Sequence, residues 1–269
     1  VVGLMRNFVL LPFLTPAEYG TFQWAMALAA YVSMGHLGTL WLLPLKLPAA
    51  FANDDDDAIV ALVGTAKWVI ALGAVLGALV VYGAMLWRGI VGFEAVVFAL
   101  LTMTTCPARL GNVICKSQGA FVKAASAEAT ASLVGMVAML VAMYAFGLPG
   151  LLCLALVGPS IEVLHYRRFL MLRRRWVFRM ALLREGLAVW WTTFLANQLP
   201  KIEVFVLGST LGLTQTDFGC YAIALAVTMT IQQLSAAFKA VDSVRIAADF
   251  AGDDDKPKSR FAVDRIAFG

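Results

Sequence analysis

Apolar residues run in unbroken stretches of about 20 residues or more, long enough to cross roughly 30 Å of hydrocarbon; examples lie at 21–49, 59–87, 93–116 and 187–213. In that solvent every backbone N–H and C=O must be satisfied within the protein, so only helices or a closed barrel can span. The runs are continuous rather than alternating, and this excludes a barrel. Composition agrees, with 61% hydrophobic and 14% charged residues, against about half and a quarter in soluble domains. The sequence predicts an all-α integral membrane protein and not a soluble enzyme.

About eight crossings can be counted, at 1–14, 21–49, 59–87, 93–116, 127–146, 151–165, 187–213 and 219–240. The turn at 14–20 puts Pro16 in the first turn of the next helix, where its missing N–H costs nothing. The span at 21–49 is interrupted by Gly35, Gly38, Pro44 and Pro48. These segments suggest a six-helix bundle over 1–165, a basic connector over 166–185 that is partly helical and amphipathic, and the start of a second bundle over 186–269. The second bundle holds two helices and a charged tail. The chain opens on Val1, and 261–269 reads as an element just starting, so a fragment of a longer protein is expected. Neither a basic leader nor an A-x-A site marks a cleaved secretory signal.

Lysine and arginine counts orient the spans. The turns after the first, third, fifth and seventh spans carry one cation, Arg88, while Lys116, Lys123, Arg167, Arg168, Arg174 and others crowd the opposite side. That side is expected to be cytoplasmic, with Gly20 and Pro149 outside and Arg174 inside. Asp54, Asp55, Asp56 and Asp57 read as a solvated helix boundary rather than a metal site, and the basic connector as a neighbour of anionic headgroups. Cys106, Cys115, Cys153 and Cys220 have no C-x-x-C or metal spacing and read as packing residues. A net charge of +4 concentrated on one side gives no case for nucleic acid.

Polar residues recur at helical spacing inside three spans. Thr102, Thr105, Arg109, Asn112 and Lys116 fall at steps of 3, 4, 3 and 4, which is one face of one helix. Thr193, Asn197 and Lys201 repeat the pattern beside Pro200, and Thr228, Gln232, Ser235, Lys239 and Asp242 do so in the last span. Two readings stand. Such stripes glue helices together, with terminal cations snorkelling to the interface, which suits Lys116 and Lys239. Alternatively they face water in a cavity, which suits the deeper Arg109 and Lys201, because a lipid-facing charge costs a few kcal/mol. Glu203 is roughly 200° around the helix from Lys201 and needs another partner. Glu162 reads as a structural partner near a helix end, and His36 and His165 as packed or interfacial. No phosphate-binding loop, G-x-S-x-G elbow or H-E-x-x-H motif is present. No enzymatic role and no cofactor is expected, and transport is the default.

The segments LLPFLTPAEYG at 10–20, ICKSQGAFVK at 114–123, LREGLAVWWTTFLANQLPKIE at 183–203 and FGCYA at 218–222 carry a resemblance in their order and spacing. Together they resemble polysaccharide-biosynthesis flippases of the Wzx type, in the multidrug/oligosaccharidyl-lipid/polysaccharide exporter superfamily. Glu203 and 219–221 fall where that family places an acid before an apolar run and a Gly-x-Tyr pattern, whereas Lys201 matches no family motif. The family has two bundles with more helices than are counted here. The resemblance implies a flippase that moves an undecaprenyl-pyrophosphate-linked oligosaccharide across the bacterial inner membrane. It also implies proton or sodium coupling and a glycan polymerase complex as partner. The polar stripes nominate Arg109, Lys201, Asn112, Thr105, Asn197 and Gln232 as lining of the substrate cavity between the two bundles, with Glu203 as the runner-up, a coupling group. Interior cations outnumber interior acids in this reading, which suits a pyrophosphate. The alternatives are a multidrug or cation antiporter of the related branch, and a non-transporting scaffold of a glycan-synthesis complex.

Overall fold

The computed structural model describes residues 9–171, 177–209, 214 and 216–228, with side chains except at 11, 196–205 and 209. Every regular element among them is helical.

Helix α1 (Pro16–Val32) starts on a capping box: Glu18 N–H donates to Thr15 Oγ1 at 3.3 Å, and Thr15 N–H donates to Glu18 Oε2 at 2.9 Å. With Pro16 at its start, three of the donors that a helix leaves open are accounted for. A 3₁₀ turn over Ser33–His36 follows, then Leu37 and Gly38 at φ of 46° and 78°. Two consecutive left-handed residues cannot continue a right-handed helix, so α2 (Thr39–Ala52) leaves bent by 49°. Pro44 and Pro48 sit inside α2. The glycine end of the interrupted segment therefore breaks the helix, while the two prolines are absorbed.

Helix α3 (Asp56–Trp87) is capped by the Asp55 carboxylate, which accepts from Ala58 N–H at 2.9 Å, with Asp56 and Asp57 in its first turn. The aspartate run is thus a cap and a complement to the helix dipole. The predicted fourth span is two helices, α4 (Phe93–Thr102) and α5 (Thr105–Ser117). Helix α6 (Phe121–Leu154) is interrupted at Gly147, with φ 65° and ψ −147°, where the chain doubles back so that Gly135 faces Gly158. The expected turn at 147–150 is therefore present. Helices α7 (Val157–Leu170), α8 (Met180–Ser209) and α9 (Thr216–Thr228) follow.

Three helical runs are long and apolar enough to cross a membrane, Asp56–Trp87, Phe93–Ser117 and the part of Phe121–Leu154 before the break at Gly147, with a fourth if α1, the 3₁₀ turn and α2 count as one bent span. Their outer faces carry large apolar side chains, among them Leu72, Leu76, Leu79, Val137 and Val141. Soluble proteins rarely expose apolar area on that scale, so these faces fit a lipid environment. Inside, Leu43, Leu47, Ile59, Leu62, Ile70, Leu110 and Ile114 form a core shared by α2, α3 and α5. Tyr166 of α7 is fully buried against Cys115, Ala124 and Ala127 of α5 and α6.

Residues of the turns after the first, third, fifth and seventh predicted spans come together, since Gly20, Arg88, Leu148 and Thr214 line one cavity. Alternating crossings would bring the same turns together. Helix α8 packs along α1 and α2. Trp190 Nε1 donates to the Met34 carbonyl at 3.0 Å, the Gly186 backbone abuts Leu37 and Gly38, and Gly208 lies against Trp24. Lys46 and Glu185 form an ion pair across the same seam. Helix α7 runs on to Leu170 and α8 starts at Met180, so both ends of the 166–185 segment are helical. The compact unit containing α1 to α8 extends to Cys220. Of the next unit, 221–228 are described and are helical.

Candidate functional site

Helix α5 places Thr105, Arg109 and Asn112 on one face, as the sequence periodicity predicts. The stripe does not extend to Thr102, because the helix breaks between Thr102 and Thr105. Buried Thr102 donates back to the Phe98 carbonyl at 2.8 Å instead. Residues from four elements complete the site. A cleft of about 430 Å³ is lined by His36 and Trp41, Arg109 and Asn112, Glu128 of α6 and Glu162 of α7. Arg109 and Glu162 also line an adjoining cavity of about 290 Å³, which adds Ser33, Thr105 and Pro159. Both cavities lie within the packing of α1, α2, α5, α6 and α7.

One wall of the cleft is a connected polar network. Asn112 Nδ2 donates to Glu128 Oε1 at 2.5 Å and to Tyr166 Oη at 2.9 Å, and the Tyr166 hydroxyl donates to the Ala124 carbonyl at 3.1 Å. Lys116 Nζ meets the same Glu128 oxygen at 2.9 Å. Lys116 therefore ends in an ion pair with α6, the structural role expected of a cation near a helix end. Thr104 and Ser160 hydroxyls, 3.2 Å apart, tie the α4–α5 break to α7.

Arg109 is different. Its guanidinium makes no hydrogen bond or ion pair with a described residue, and the side chain is exposed to the cleft. It stands within electrostatic range of Glu162 and His36. His36 is buried, its Nδ1 accepts from Gly38 N–H at 3.1 Å, and its ring meets Trp41 edge-on at 4.7 Å. An accepting Nδ1 assigns the proton to Nε2, which is buried with no partner among the described residues. Such an arrangement offers donors from Arg109 and His36 and carboxylates from Glu128 and Glu162. It suits an ionic or strongly polar ligand.

Two sequence expectations change. Glu162, expected as a structural partner near a helix end, lines both cavities with Arg109, and among the described residues the cleft holds two acids, Glu128 and Glu162, beside that one arginine. Glu128 escaped the sequence reading because a lone acid at the head of an apolar run lacks the helical spacing that singled out Arg109. Asn197, Lys201 and Glu203 lie on α8, but their side chains fall outside the described residues, as does Gln232 altogether. Thr228 is exposed and donates to the Ala224 carbonyl at 3.1 Å. The cysteines divide by depth: Cys106 and Cys115 are buried, with Cys106 Sγ donating to the Ser33 carbonyl at 3.0 Å, while Cys220 is exposed. Among the described residues no group of three His, Cys, Asp or Glu side chains is placed to hold a metal. No protein-family model, curated protein or solved structure matches the chain.

Proposed function

We propose that this protein is a multi-pass transporter of the bacterial inner membrane that flips a lipid-linked oligosaccharide carrying a pyrophosphate. In this reading the eight predicted crossings all span, and 186–269 begins a second bundle. A glycan polymerase complex receives the product. The observation that carries the proposal is Arg109, a cation with no hydrogen-bond or ion-pair partner among the described residues, in a cleft between helices. A charge at membrane depth is expensive unless water or a counter-charge meets it. A guanidinium binds phosphate oxygens through two parallel hydrogen bonds, so a passing pyrophosphate is a fitting counter-charge. Arg109→Ala should abolish surface glycan in the intact transporter at normal membrane abundance. Arg109→Lys, which keeps the charge and loses the fork, should restore part of it. Normal glycan with Arg109→Ala assigns Arg109 to helix packing and favours a scaffold.

Glu162 favours a second reading. A carboxylate lining the same cavities as Arg109 can exchange a proton or bind sodium, either as the coupling group of the flippase or as the cation site of an antiporter. Glu162→Gln separates these. It should weaken glycan export that depends on the ion gradient if the flippase reading holds. Loss of cationic-drug resistance with intact surface glycan would identify an antiporter.

A further inference from the structure

A third cavity, of about 230 Å³, lies where the turns after the first, third, fifth and seventh predicted spans meet, and it shares no lining residue with the Arg109 cleft. Thr21 and Trp24 of α1, Arg88 from the turn after α3, Leu148, and Gly208 and Thr214 line it. Small-molecule pockets usually exceed about 300 Å³, so this one suits a single small group.

Arg88 gives the pocket its chemistry. Its guanidinium carbon stands 5.1 Å from the centroid of the Trp24 ring, and Trp24 itself is buried. The ring face balances part of the charge but offers no lone pair. Arg88 Nε is buried, and the guanidinium has no hydrogen-bond or ion-pair partner among the described residues. A buried donor without an acceptor is costly, and more so when charged. Neither pocket hydroxyl is bonded to Arg88: that of Thr21 donates to the Ala17 carbonyl at 3.0 Å and that of Thr214 to Asp217 Oδ2 at 2.5 Å. What is missing is an oxyanion, and a guanidinium fork suits phosphate.

Depth selects the source of that phosphate. Arg88 caps the C-terminus of α3, its N–H bonded to the Ala84 and Met85 carbonyls, at the end of a candidate span. Trp87 and Phe93, both well exposed, flank it. Aromatic side chains beside a cation at a helix end mark the headgroup level of a bilayer. We propose that this pocket holds the phosphodiester of a membrane phospholipid headgroup, with Arg88 as its principal donor and Trp24 as the platform behind it.

Native mass spectrometry of the full chain in detergent tests the assignment with three probes: phosphatidylglycerol, a diacylglycerol of the same acyl chains, and inorganic phosphate. Phosphatidylglycerol should be retained on the wild type and diacylglycerol should not. Arg88→Gln should lower that retention roughly tenfold or more, the loss of a hydrogen-bonded charge. Arg88→Lys, which keeps the charge, should fall between. Equal retention of the two lipids by the wild type, a comparison that needs no variant, would overturn the proposal. So would retention unchanged in a folded Arg88→Gln protein. Inorganic phosphate that displaces phosphatidylglycerol at equal concentration would overturn the lipid assignment and leave a free-anion site. None of these outcomes depends on transport, so the proposal can fail while the flippase reading stands.

Discussion

At the scale of the residue, Glu128 and Lys116 show how unevenly one ion pair distributes its importance. Both side chains are nearly half exposed, at 46% and 44%, and exposed pairs contribute about 0–1 kcal/mol. Lys116→Ala should therefore lower stability by less than about 1 kcal/mol. Glu128→Ala should cost more, about 1–3 kcal/mol, because it also removes the charged acceptor of Asn112, which joins α5 to Tyr166. Thermal melts of the two variants in one detergent measure the difference, and equal shifts would reduce the network to a surface pair. Arg109, Asn112 and Thr105 were legible from spacing alone, since a helix puts such residues on one face whatever surrounds it. Glu128 and Glu162 were not, because only the packing of α6 and α7 against α5 gives them a shared cavity.

At the scale of the element, glycines decide where helices break and where they touch. A Cβ on Gly38 would sit 1.8 Å from the Gly186 carbonyl oxygen, in a residue whose φ is 78°. Gly147 has a positive φ of 65° but open space around it, and Gly83, within α3, has open space and an ordinary helical conformation. Three alanine substitutions should therefore diverge. Gly38→Ala should separate α8 from the α1–α2 bend and fail to give a monodisperse protein. Gly147→Ala should cost only the backbone strain, about 1–3 kcal/mol. Gly83→Ala should stabilise by about 0.5–1 kcal/mol, as alanine does in place of a helical glycine. Size-exclusion profiles and melting temperatures rank the three, and a well-folded Gly38→Ala would show that the α8 seam yields. The sequence marked four interrupters in the second segment without saying which would act. Pro44 and Pro48 are four residues apart, so the carbonyl left free opposite Pro48 belongs to Pro44 on the same side of α2, and both prolines are exposed. The helix survives them, whereas the left-handed pair at Leu37 and Gly38 leaves it no continuation.

At the scale of the molecule, a helical class that fits a membrane was legible because hydrocarbon leaves a chain so few options, and the expected alternation of the turns rests on each apolar run ending on the other side. Closure of the bundle was not. His36, Arg109, Glu128 and Glu162 are brought to one cleft from four elements, and nothing in the local pattern of any one element announces the others. Sidedness follows from the same alternation. Arg88 is the one cation of the turns that converge with Gly20, Leu148 and Thr214, while Lys116 and Lys123 belong to the opposite turns. By the bias of cations toward the cytoplasm, Val91 should face outward and Gln118 inward. Both are exposed, so a cysteine at either position is open to reagent. In a background with the exposed Cys220 replaced by serine, a membrane-impermeant maleimide should label Val91→Cys in intact cells. Gln118→Cys should be labelled only after permeabilisation. The reverse pattern would invert the whole chain and move the Arg88 pocket to the cytoplasmic leaflet. Labelling of both positions in intact cells would break the alternation, because Val91 and Gln118 lie at the two ends of the Phe93–Ser117 run and could not then be separated by the membrane.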